Sequence, residues 1–99
     1  MVITLPAEID LANQDTVFRL FEAVPAPGGR AVVADLTGTT FCDSAGFRML
    51  GRIHRTTVAR GAELRLAVTP GGAVSRMLHL LDFDQVLGIY PSLEAALKN

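Results

Sequence analysis

The segment Ala31-Val-Val-Ala-Asp-Leu-Thr-Gly-Thr-Thr-Phe-Cys-Asp-Ser-Ala-Gly-Phe47 changes character twice along its length. Ala31 to Leu36 is a compact apolar run bounded by turn signals, which reads as a buried strand. A short polar stretch follows. Ser44 then opens a run in which Phe47, Leu50, Ile53, Thr57 and Val58 fall on one helical face. The spacing predicts a helix from about Ser44 to Arg60, closed by Gly61 as a C-terminal cap. A strand that passes through a tight loop into a helix is the repeating unit of α/β sheets.

The flanks repeat this unit. On the N-terminal side, Val2, Ile3 and Leu5 predict a short strand within Met1 to Ile9, stopped near Pro6. Asn13 is expected to cap the next helix with its side-chain oxygen, and Asp15 suits the positive end of the helix dipole. Val17, Leu20, Phe21 and Val24 are that helix's expected inner face, and Pro25-Ala-Pro-Gly-Gly29 is expected to end it.

On the C-terminal side, Glu63 to Val68 alternates Leu64, Leu66 and Val68 with Glu63, Arg65 and Ala67, as a strand does. Thr69-Pro-Gly-Gly72 lacks the lysine and spacing of a phosphate loop and reads as a turn. Val74, Met77, Leu78 and Leu81 mark a third helix ending near Asp82. Val86 to Tyr90 is a last strand, and Ser92 caps a closing helix carrying Leu93, Ala96 and Leu97. Strands and helices alternate throughout. The expectation is α/β: one domain over residues 1–99, with a mostly parallel mixed β-sheet and about four helices.

Composition narrows the function classes. The chain has 99 residues, 49% of them hydrophobic, enough for one core. Nine basic and ten acidic residues give a net charge of −1, with no basic footprint for direct nucleic-acid binding. A single cysteine, Cys42, permits no intrachain disulfide and suits a reducing compartment. The N-terminus carries no basic and apolar leader pattern, and the apolar runs fall short of a membrane span. A soluble cytoplasmic protein is expected, with no membrane partner. His54 and His79 have no clustered second ligand, so neither a metal nor another cofactor is implied.

Ser44 is the residue of greatest interest. At a helix start, the first N–H groups lack internal partners, and a phosphate there would be hydrogen-bonded by the backbone. Two readings compete: serine as a plain N-cap, or serine as a site of modification. Asp43 carries the same pair of readings, capping or partner contact. Gly46 is expected to keep the neighbouring surface open, and Cys42 to behave as a small buried hydrophobe. Arg48, Arg52 and Arg55 are either a solvated helix face or a basic face for an acidic partner. A nucleophile elbow would need Gly at position 42, where Cys stands, and a histidine after a suitable acid. Catalysis is therefore not expected.

Val33-Ala-Asp-Leu36 followed by Phe41-Cys-Asp-Ser-Ala-Gly-Phe47 resembles the strand–loop–helix signature of STAS domains. Within that family, anti-sigma factor antagonists share a phosphorylatable serine in an Asp-Ser-x-Gly setting. Glu8-Ile-Asp-Leu-Ala-Asn13 is similar to the family's Gly-Glu-Leu-Asp segment. Leu64-Arg-Leu-Ala-Val68, with Pro70, Val74, Arg76 and Leu78, resembles its fourth-strand and third-helix region. Ser92-Leu-Glu-Ala-Ala-Leu97 resembles its closing helix. The likeness spans about residues 3 to 97.

The resemblance implies phosphorylation at Ser44. It also implies partner contacts from Asp10, Asn13, Thr40, Asp43, Ala45, Gly46 and Arg48. The implied partners are an anti-sigma factor that is also a serine kinase, and a metal-dependent serine phosphatase that resets the switch. The alternative is a STAS module serving as a scaffold, ligand sensor or lipid-transport subunit without serine phosphorylation. The resemblance further implies a strand preceding Ile3–Leu5, which this sequence lacks. Pro6-Ala7 also stands where Ser-Gly is common before the glutamate. An uncovered strand edge is expected to give weak homodimers, unless a coding start upstream of Met1 restores the strand.

Overall fold

The structure is a computed structural model that describes residues 1–24 and 30–98. Six strands form: β1 (Val2–Thr4), β2 (Glu8–Ile9), β3 (Ala31–Asp35), β4 (Phe41–Cys42), β5 (Glu63–Ala67) and β6 (Gly88–Tyr90). The helices are α1 (Gln14–Glu22), α2 (Ser44–Ala59), α3 (Ala73–Leu80) and α4 (Leu93–Leu97), with a 3-10 turn at Phe83–Gln85. This is the expected mostly parallel sheet with about four helices. The main sheet runs in the order β1-β3-β5-β6, and every pairing in it is parallel.

The expected first strand forms as β1 and stops before Pro6, as predicted, and a second short strand that the sequence did not signal follows. Beyond Pro6 the chain pairs β2 with β4 in a separate small parallel sheet. Proline cannot donate to a ladder, so the break falls where the donor is missing. On the side away from β3, β1 has no strand partner among the described residues.

The central strands are covered on both faces. Val32, Ala34, Leu64 and Leu66 join one core with Phe47, Leu50 and Ile53 of α2 and Phe18 and Phe21 of α1. Val33 and Ala67 face the opposite way, onto Ala96 of α4. Burial on both faces explains why Ala31–Leu36 reads as an unbroken apolar run instead of an alternating one. Removing a fully buried side chain such as Leu50 would cost about 2–5 kcal/mol.

Several expected positions shift. In α1, Phe18 turns inward and Leu20 is exposed. In α2, Met49 is buried and Val58 is exposed. The last strand begins at Gly88, because Phe83–Gln85 forms the 3-10 turn. Helix α3 ends at Leu80, two residues before the expected stop, and Asp82 adopts a left-handed conformation with φ 60°. That reversal brings Phe83 edge-on to Phe47, with ring centroids 6.4 Å apart. Gly61 ends α2 as expected, with φ 78° that a side chain would strain. The Ser92 hydroxyl caps α4 by accepting from the Ala95 N–H at 3.0 Å. The expected breaker Pro25–Gly29 lies outside the described residues. No helix among the described residues is long and apolar enough to cross a membrane.

Arg65 fastens α4 to the sheet. It stands on β5 among residues of the α4 side, and its guanidinium donates to the Ala96 carbonyl at 3.0 Å and the Lys98 carbonyl at 2.8 Å. A cation on the last carbonyls satisfies acceptors that the helix leaves open. Glu63 holds the other arm at 3.2 Å, and the Tyr90 ring lies beneath at 5.8 Å. Replacing Arg65 by Met keeps the stem but removes these charge-assisted bonds, so stability should fall by about 1–3 kcal/mol. Amide exchange should quicken first at Ala96 and Leu97. Unchanged protection there would mean that apolar packing alone holds α4.

Candidate functional site

Asp43, not Ser44, caps α2. Asp43 has an extended backbone (φ −87°, ψ −178°), and its carboxylate accepts the Gly46 N–H at 2.9 Å. Its other carboxylate oxygen accepts the Leu11 N–H at 3.1 Å, from the loop between β2 and α1. Its own N–H donates to the Ile9 carbonyl at 3.0 Å. The capping reading of Ser44 is thereby corrected. Ser44 is the first helical residue, its side chain is exposed, and its hydroxyl makes no hydrogen bond among the described residues.

Gly46 has a packing role in place of the expected open surface. A Cβ on Gly46 would lie 2.5 Å from Cys42 Sγ and 2.9 Å from Ile9 Cγ2. Only glycine lets the first turn of α2 settle against β2 and β4. Ala45 and Gly46 both face inward. Both are buried beneath the exposed Ser44, which they support from below. Cys42 is half-buried beside them, and burial, with the Asp43 charge second, pushes its thiol up to about 12. A thiol held so high stays protonated at neutral pH, and Cys42 packs against the core as a partly buried side chain.

The neighbouring loop is ordered by its own polar side chains. Asp10 Oδ1 accepts the N–H groups of Ala12 and Asn13 at 3.0 and 3.1 Å. Asn13 sits at the N-cap position of α1 but makes no capping bond. Instead its Oδ1 accepts the Asp10 N–H at 2.9 Å, and its Nδ2 donates to the Glu8 carbonyl at 2.7 Å. The expected cap is thus a loop clamp, because a short polar side chain can bond the preceding turn as readily as the following one. Thr40 is exposed and donates to the Ala7 carbonyl through its N–H at 2.8 Å and its hydroxyl at 3.3 Å. Thr39, which sequence reading passed over, is buried and bonds the Pro6 carbonyl at 2.9 Å. A polar residue in a polar loop gives no sequence signal of burial.

The structure therefore brings Asp10, Asn13, Asp43 and Ser44 to one region, with Thr40 on the adjoining strand entry. Arg48 lies one turn beyond Ser44 on α2 and is exposed. Arg52 departs from the expected trio, since its guanidinium stacks 4.0 Å over the Phe18 ring on the α1 side. Neither histidine hydrogen-bonds Ser44 among the described residues, and His79 Nδ1 meets the Ser75 carbonyl at 2.9 Å. Asp43→Ala should lower stability by about 0.5–2 kcal/mol. Ser44→Ala should change it by no more than about 0.5 kcal/mol. Urea denaturation of both variants reads the difference, and the opposite order would return the cap to Ser44.

Comparison with known proteins gives these features a context. The family model for the STAS domain matches residues 1–96. The anti-sigma-F factor antagonist RsfA of Mycobacterium tuberculosis is 32% identical over 102 residues, covering 99% of this chain and 77% of that protein. The anti-sigma-F factor antagonist RsfB of the same organism is 28% identical over 97 residues, covering 97% and 77%. Among solved structures, a candidate anti-sigma factor antagonist from Thermotoga maritima superposes with a TM-score of 0.78 at 20% identity, over 94% of this chain and 81% of that one. A sulfate transporter family protein from Wolinella succinogenes gives 0.80 at 16% identity, over 97% and 80%. These two likenesses speak for the fold. The full-length family match and the mycobacterial relatives, on a chain that presents an exposed serine on a capped helix start, place this protein in the STAS domain family.

Proposed function

We propose that this chain is an anti-sigma factor antagonist that acts by binding. Unmodified, it holds an anti-sigma factor that is also a serine kinase, and so frees a sigma factor for transcription. Phosphorylation of Ser44 ends the complex, and a metal-dependent serine phosphatase restores it, all within the cytoplasm. The observation that carries this reading is the division of labour between Asp43 and Ser44. Asp43 caps the helix, which leaves the Ser44 hydroxyl exposed and unengaged. A serine with no structural duty at a rigid, solvent-facing helix start is a fit acceptor for a phosphoryl group. The mycobacterial relatives named as anti-sigma-F factor antagonists support the partner class.

The switch follows from charge. A phosphate adds about −1.5 to −2 charges at pH 7. An interface that excludes water from Ser44 would have to bury that charge beside the Asp43 carboxylate, a costly arrangement. The fold itself tolerates the charge, because the helix N-terminus favours an anion and Arg48 stands one turn away. Phosphorylation therefore acts on the complex and spares the domain. Asp10, Asn13 and Thr40 border the same surface and would form its recognition rim.

The test uses purified anti-sigma factors from the same genome, measured against the wild type, Ser44→Ala and Ser44→Asp by calorimetry. Ser44→Ala should bind as the wild type does, and Ser44→Asp should bind at least about tenfold more weakly, equal to about 1.4 kcal/mol. The melting temperature of Ser44→Asp should not fall. Incubation with the kinase and ATP should place the phosphate on Ser44 by mass spectrometry. Equal affinity of the wild type and Ser44→Asp for the one anti-sigma factor that binds would overturn the switch. It would favour a scaffold, sensor or transport-subunit role for the same fold.

A further inference from the structure

Ser44, Arg48, Gly51 and Arg55 lie at i, i+4, i+7 and i+11 on α2, so they stack in one column along the helix. A groove of about 760 Å³ follows this column, and Met77, Leu81 and Phe83 form its other wall. Ser44 stands at one end. Met77 and Leu81 are 42% and 47% exposed, and Leu80 beside them is 76% exposed. A run of large apolar side chains in water next to a groove marks an interaction surface.

Gly51 is the informative residue. Glycine in a helix interior is less favourable than alanine. Nothing inside the protein requires it here, since a Cβ would meet only Arg55 Nη1 at 3.6 Å and Phe83 Cζ at 3.9 Å, ordinary contacts. Gly46 is different, because its neighbours leave no room for a Cβ. The missing side chain at Gly51 serves the groove instead, keeping it open between Arg48 and Arg55. Both arginines are exposed, and the ion pair found among the described residues is elsewhere, between Arg65 and Glu63. Two exposed cations with no ion-pair partner among the described residues, beside an apolar trough, complement a segment with carboxylates along the edge of an apolar face. Asp43 also lines the groove beside Ser44, but both its carboxylate oxygens accept backbone N–H groups, from Gly46 and Leu11. Asp82 lines the adjoining hollow together with Arg55, so Arg48 is the cation nearest the Ser44 end.

We propose that the groove between α2 and α3 seats an amphipathic, acid-edged helical segment of the protein partner, laid across Gly51 with its carboxylates against Arg48 and Arg55. This rests on the reading of Ser44 as the switch, and it extends the interface from that residue over the outer face of α3. It also gives the phosphate a second action. On Ser44 the phosphate would occupy Arg48, one turn away, and repel the partner's carboxylates.

The experiment titrates the labelled protein with a synthetic leucine–glutamate amphipathic helix and, in parallel, with its leucine–lysine counterpart. The acidic peptide should shift the amides of Gly51, Met77 and Leu81 and bind at least tenfold more tightly than the basic one, with affinity falling as salt rises. Gly51→Leu should fill the groove and reduce that affinity at least tenfold, without a lower melting temperature. Gly51→Ala should raise the melting temperature. Should Gly51→Leu fail to fold, Leu81→Gln tests the opposite wall. Equal binding of both peptides, or unchanged binding by Gly51→Leu, would overturn the proposal. So would self-association of the wild type that Gly51→Leu abolishes, which would assign the groove to a second copy. The anti-sigma factor then separates the two readings. Loss of its binding by Ser44→Asp but not by Gly51→Leu leaves the switch standing and removes the groove. The reverse pattern removes the switch and keeps the groove.

Discussion

One carboxylate serves two parts of this molecule. Asp43 accepts the Gly46 N–H with one oxygen and the Leu11 N–H with the other. The first bond satisfies a donor that the α2 start would otherwise leave open. The second ties the loop between β2 and α1 to the same helix end. Ser44 follows immediately, so its position is fixed by bonds in which it takes no part. A side chain with no structural task can be modified without unravelling its surroundings. Had the serine been the cap, a phosphate on it would have competed with the helix it holds.

That arrangement depends on close backbone approach. The small β2–β4 sheet, with Asp43 N–H on the Ile9 carbonyl, brings the strand entry under the first turn of α2. Gly46 admits Cys42 and Ile9 to within a distance no Cβ allows. Thr39, buried and bonded to the Pro6 carbonyl, holds the loop before it. The site is therefore rigid from below and open above, and both properties come from small residues at chosen points. The two glycines of α2 divide the work. Gly46 is demanded by what lies beneath it, whereas Gly51 answers to nothing inside the protein.

Charge is unevenly used. The chain is nearly neutral in sum, yet its arginines have separate duties. Arg65 closes α4, Arg52 stacks on Phe18, and Arg48 and Arg55 remain exposed beside an apolar trough. A composition count cannot distinguish these, because each duty depends on which side of a helix or strand the side chain leaves. The result is an apolar-floored groove with two exposed arginines along it, on a protein whose net charge is nearly zero.

The sequence by itself determined the order of the four main-sheet strands and the four helices, the parallel α/β class and the position of Ser44 at a helix start, but not the small β2–β4 sheet or the 3-10 turn. Apolar run length, helical spacing and the glycine at position 61 are local signals, and local physics is enough to read them. It also carried the family resemblance, since the motifs occur in order along the whole chain. Tertiary structure alone decided which of two adjacent capping residues does the capping. Asp43 and Ser44 both have suitable side chains, and the choice turns on which one the preceding strand holds in an extended conformation. It likewise decided that Asn13 clamps its loop, that Phe18 and not Leu20 turns inward, and that Gly46 is packed while Gly51 is open. Neighbouring positions on a helix differ by a rotation that spacing leaves ambiguous. Only the partner surface, supplied by residues distant in sequence, fixes which face is buried.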